Sequence, residues 1–142
     1  MPGADDTRLV IAVDPGTHKC GIALLRGPGE ILVREVAGRD AAITRVAELL
    51  GGNPGAAVVI GNSTQGPALV RDLALQTAIQ AELVDETNST MDARALYWQE
   101  NRPGCLWAIF PPSFRPMPRP IDDYAAVIIA RRYLASRGAN DV

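Results

Sequence analysis

Three short apolar runs, rich in β-branched side chains, fill the first forty residues and are parted only by glycine-bearing turns. They cover residues 8–13, 20–25 and 31–36, with Asp14-Pro15-Gly16 and Gly27-Pro28-Gly29 among the connections. Links this short join neighbouring strands antiparallel, so a three-stranded meander is predicted. Beyond it the rhythm changes to alternating helix and strand. That change restricts the chain to an α/β architecture with strands of mixed direction.

The second half of the pattern can be placed segment by segment. Asp40 is positioned to cap a helix whose stripe is Ile43, Val46, Ala47 and Leu50, and Gly51-Gly52 stops it. Residues 56–60 are continuously apolar, as in a strand buried on both faces of a parallel sheet. Pro67 opens a helix carrying Val70, Leu73, Ala74 and Thr77 on one face. Residues 81–84 read as another buried strand. Ser89-Thr90-Met91-Asp92 has the form of a capping box, with Met91, Ala95 and Trp98 on one face of the helix that follows. Residues 101–120 hold six prolines and are expected to form an irregular flap; residues 121–137 form the last helix. The predicted fold is one domain over residues 1–142: a mixed five-stranded sheet flanked by helices, three antiparallel strands preceding the parallel β-α units.

Composition agrees with a single globular unit. The chain has 142 residues, 47% hydrophobic and 21% charged, too apolar for a disordered protein. No apolar run approaches the ~20 residues of a spanning helix, so no membrane partner is expected. The acidic start, Met1 to Asp6, lacks the build of a secretory signal. Cys20 and Cys105 fit no metal-ligand spacing and are expected as reduced thiols, which together point to the cytoplasm. The net charge of −2 argues mildly against nucleic acid, but the charge is divided unevenly. Residues 1–100 carry 8 basic and 13 acidic side chains, whereas residues 101–142 carry 6 and 3. Arg115 and Arg119, in the flap with Trp107, Phe110 and Phe114 nearby, are candidates to meet phosphates and bases.

Carboxylates stand where strands or helices end: Asp14 after the first strand, Asp85 and Glu86 after the last, Asp122 and Asp123 at the start of the final helix. In open α/β sheets, sites form beyond the carboxyl ends of strands. Each of these residues also has a plain structural role available, as turn residue, loop charge or helix cap. The final helix favours more. At about 100° per residue, Asp122 shares a face with Ala126, Ile129 and Tyr133, and Asp123 with Val127, Ala130 and Leu134. Both faces are apolar, and a buried carboxylate needs a partner. Clustered carboxylates imply a cation, most simply magnesium or manganese on oxygen ligands. Spacing leaves open which of Asp122 and Asp123 points inward.

These residues together resemble the YqgF/RuvX family of RuvC-like nucleases, along most of the chain. The segment Asp14-Pro15-Gly16-Thr17-His18-Lys19-Cys20-Gly21-Ile22-Ala23 is similar to the family's first motif. Val84-Asp85-Glu86, with Ser89-Thr90 and Ala93, resembles its second, and Ile121-Asp122-Asp123-Tyr124-Ala125-Ala126 its third. The chain departs from the family in three places. Thr87 stands where an Arg is usual, residues 60–66 lack the usual Leu-Pro, and a proline-rich stretch replaces a lysine-rich one. The resemblance implies an RNase H-like fold and a nuclease using two magnesium or manganese ions. Asp14, Glu86 and Asp122 would be catalytic, the same three with Asp123 would bind metal, and Lys19 would be able to reach a substrate phosphate. It implies branched DNA such as a four-way junction, or the precursor of small-subunit ribosomal RNA, as substrate, with a homodimer if junctions are cut in pairs. The alternative is a nucleic-acid-binding or ribosome-assembly factor of the same fold with little catalysis. An actin-like ATPase shares the first motif but needs two such subdomains, more than 142 residues supply.

Overall fold

A computed structural model describes residues 6–87, 89–101, 107–111 and 121–140. Among the described residues, strands β1 (Leu9–Asp14), β2 (Lys19–Arg26), β3 (Glu30–Gly38), β4 (Ala57–Gly61) and β5 (Glu82–Val84) form one sheet, in the order β3-β2-β1-β4-β5. β1 to β3 are antiparallel neighbours, while β4 runs parallel to β1, and β5 parallel to β4. The expected mixed five-stranded sheet is therefore present. Its register slips once, between Leu24 and Leu25 opposite β3, which inserts Leu32 as an extra residue.

Helices cover both faces, and the pleat of each central strand divides its residues between them. Ile11 and Val13 of β1, Ile22 and Leu24 of β2, and Val58 and Ile60 of β4 pack under α1 (Arg39–Gly52) and α2 (Gly66–Thr77). Val10, Ala12, Ala23, Leu25 and Val59 point the other way, under α3 (Ser89–Glu100) and α4 (Asp122–Asn140). Burial of each large side chain contributes about 1.5–3 kcal/mol, so this double layer fixes the register of every strand. By the same alternation Asp14 and Gly61, two residues on from Ala12 and Val59, belong to the α4 face.

Several local expectations change. α1 begins at Arg39 with Gly38 as its cap, so Asp40 is a first-turn residue and not the cap. β5 is the sheet edge rather than a buried strand: Glu82 is exposed and Leu83 is 43% exposed. α3 buries Ala93, Leu96 and Tyr97, whereas Met91 is 51% exposed, because α4 crosses a face offset from the predicted stripe. The Asp92 carboxylate accepts from Arg132 Nη2 of α4 at 2.9 Å, while the Ser89 side chain of the expected capping box lies outside the described residues. The flap over residues 101–120 falls largely outside the described residues, Arg115, Arg119, Phe114 and Cys105 included. Among the described residues, no helix is long and apolar enough to cross a membrane.

Candidate active site

Three elements bring carboxylates to one end of the sheet on its α4 face. Asp14 is the last residue of β1 and pairs in register with Gly21 of β2. Glu86 lies two residues past β5. Before it, the Asp85 carboxylate accepts from the Thr87 N–H at 3.1 Å and from its hydroxyl at 2.7 Å. This turn leaves Asp85 exposed, with its carboxyl held below the usual range by those bonds, and Glu86 half-buried. Asp122 opens α4. The Ala125 N–H donates to the Ile121 carbonyl at 3.0 Å, so Ile121 occupies the cap and Asp122 is the first helical residue. The simple capping role is thereby removed for Asp122.

Two glycines make the convergence possible. A Cβ on Gly21 would overlap the Asp122 carbonyl, so only glycine lets the start of α4 rest on β2 beside Asp14. A Cβ on Gly61 would stand 2.5 Å from Glu86 Oε2, so the end of β4 leaves the space that the Glu86 carboxyl enters. Neither glycine was singled out as a site residue from sequence. The signal for both was a glycine inside or ending an apolar strand, the usual mark of a close approach.

The electrostatics reflect the crowding. Asp14 is pushed up from 3.8 to about 8, first by burial, then by the charges of Glu86 and Asp122 and by a hydrogen bond with Glu86. Burial and neighbouring charge thus favour the protonated form of Asp14 in the bare protein. The other Glu86 oxygen, Oε1, is buried and has no hydrogen-bond partner.

Asp123 lies elsewhere. It is 5% exposed and its Oδ2 sits 3.2 Å from Arg34 Nε, a charge contact without hydrogen-bond alignment. Arg34 also binds Glu100 Oε2 at 2.6 Å and stacks over the Tyr124 ring at 4.0 Å. Asp14 feels Asp122 but not Asp123 among the causes of its shift. The structure therefore separates the two aspartates that sequence left equivalent. Lys19 begins β2 and is exposed, at the end of the sheet that carries Asp14.

The donor set can be tested against a cation. Among the described residues, no three His, Cys, Asp or Glu side chains are already arranged to hold a metal ion. The chemistry of the three nonetheless fits one: all are hard oxygen donors, a cation relieves the crowding that raises Asp14, and Glu86 Oε1 lacks a hydrogen-bond partner. A groove of about 580 Å³ runs along the β5 edge, with Asp85, Thr87, Arg132 and Tyr133 in its wall and none of the three carboxylates.

No family model matches the chain, and no curated protein matches it in sequence. Among solved structures it is similar to RuvC of Thermus thermophilus, with a TM-score of 0.59 and 15% identity, over 92% of this chain and 96% of that one. It is likewise similar to Thermus thermophilus RuvC in complex with a Holliday junction substrate, with a TM-score of 0.58 and 16% identity, over 94% and 96% of the two chains. At such identity the likeness is one of fold. The chain has the RNase H-like α/β fold seen in RuvC.

Proposed function

We propose that this protein is a divalent-metal-dependent endonuclease that hydrolyses phosphodiester bonds of branched nucleic acid. The observation that carries the reading is the convergence of Asp14, Glu86 and Asp122, crowded enough to raise Asp14 to about 8. Structural residues would not be selected for such repulsion, which a bound cation relieves. Asp14, Glu86 and Asp122 would hold magnesium or manganese, one ion or two. When bound, such ions activate water and stabilise the leaving oxygen of a phosphodiester. The chain's own part is to bind and orient. Asp14 would exchange its proton for the cation, Gly21 and Gly61 keep the carboxylates in reach, and Lys19 would hold a substrate phosphate.

The whole-chain likeness to a RuvC held with a Holliday junction favours junction DNA as the first substrate to try. The three motifs resemble those of the YqgF/RuvX branch, for which ribosomal RNA precursor is the competing substrate. Cleavage of four-way junctions, single strands and ribosomal RNA precursor would be measured with magnesium or manganese, for wild type and Asp14→Asn. Nicking of junction DNA that Asp14→Asn abolishes is expected. Cleavage that survives this substitution would sink the site assignment, and no cleavage of any substrate would favour the binding-factor alternative.

A further inference from the structure

We propose that Arg132 is a positioning residue for the carboxylate site: it clamps the turn that carries Glu86, so that this carboxylate is held toward Asp14. The inference rests on the metal-site reading above. Arg132 sits on the part of α4 that passes β5. Its Nη1 donates to the Asp85 carbonyl at 3.3 Å, and its Nη2 to the carboxylate of Asp92, in the first turn of α3, at 2.9 Å. One guanidinium thus ties α4 to both ends of the segment that links β5 to α3, and Glu86 lies within that segment. A planar fork with several donors suits such a double task.

The physical need lies in how Glu86 is held. Its Oε1 has no hydrogen-bond partner, and its charge opposes that of Asp14. Bonds of its own side chain therefore aim it only weakly, and the backbone has to supply the direction. The Asn62 N–H donates to the Val84 carbonyl at 2.8 Å, which fixes the chain to the end of β5. Past that point the Asp85 carboxylate takes the N–H and hydroxyl of Thr87, bonds that shape the turn without anchoring it. Arg132 supplies an anchor, and it does so from α4, the same helix that carries Asp122. Ligands from separate elements keep their spacing when outer partners of this kind lock the elements together.

The test is manganese binding by calorimetry on the full chain without nucleic acid, with melting temperatures measured on the same samples. Arg132→Met, which keeps the apolar stem and removes the donors, is expected to weaken manganese affinity about tenfold. Arg137 stands in the same groove wall but pairs with Glu82 and packs on Tyr133, away from the turn. Arg137→Met should therefore bind manganese as the wild type does, and the two variants should melt alike, since each loses one exposed ion pair. Thr87→Val, which takes the hydroxyl bond out of the same turn, should weaken affinity in the same direction and by less. An arginine that only met substrate would leave manganese affinity at the wild-type value. One that only stabilised the fold would lower the melting temperature with affinity intact. Either result overturns the proposal. Should Arg132→Met fail to fold, Asp92→Asn and Thr87→Val loosen the same clamp, and wild-type affinity in both overturns it equally. A folded wild type that binds no manganese would instead remove the metal site, and this role with it.

Discussion

Asp122 and Asp123 are adjacent and chemically identical, yet they meet different surroundings. Asp122 opens α4 beside Asp14. Asp123 is buried against Arg34. The two should therefore fail in different ways. Asp122→Asn should abolish metal-dependent cleavage with the melting temperature little changed. Asp123→Asn should keep manganese binding while losing about 1–3 kcal/mol of stability, since Arg34 then faces a weaker partner. Parallel calorimetry and denaturant unfolding of both variants would check this, and the opposite pattern would exchange their roles. Asp123 was grouped with the metal ligands from its place in the motif. An ion pair to a residue on another strand has no signature in local spacing, so Arg34 could be noticed only as a charge in an otherwise apolar strand.

At the scale of elements, the site depends on how closely α4 lies on the sheet. Contact between the start of α4 and β2 passes over Gly21, and that between Glu86 and β4 over Gly61. Gly21→Ala should lift the first turn of α4 away from Asp14. We expect a loss of about 1–3 kcal/mol, typical of overpacking, together with loss of manganese binding out of proportion to the loss of fold. Thermal unfolding and calorimetry on the same sample would measure both, and an alanine variant that binds normally would show that α4 can shift without cost to the site. The elements themselves were largely visible in the sequence, because strand runs, turns and helical stripes are set by near neighbours. β5 was visible as a strand but not as an edge, and the face of α3 was misplaced. Both depend on what lies across the element, which periodicity does not report.

For the whole molecule, the raised Asp14 links stability to pH. Its folded value of about 8 exceeds its ordinary 3.8, so the fold favours the protonated form. That contribution is complete below about pH 4 and is lost as pH rises through 8. The metal-free protein should therefore melt lower at pH 8 than at pH 5, by about 5–10 °C. Manganese should raise the melting temperature more at pH 8 than at pH 5, because the cation competes with the proton. Asp14→Asn should flatten both trends. A melting temperature insensitive to pH and manganese in the wild type would mean that these carboxylates are not crowded in solution.

By itself the sequence determined the order and type of the elements, the strand ends that carry Asp14 and Glu86, and the pair of aspartates that opens the last helix. Each of these is written in short-range pattern: turns that glycine and proline enforce, apolar periods, and caps. Packing in three dimensions is what brings Asp14, Glu86 and Asp122 to one end of the sheet, clears space for them at Gly21 and Gly61, and buries Asp123 beside Arg34. Those outcomes rest on close approach and charge pairing between segments far apart in the chain. Such interactions have no fixed spacing, and they arise only when packing of both sheet faces has set every register.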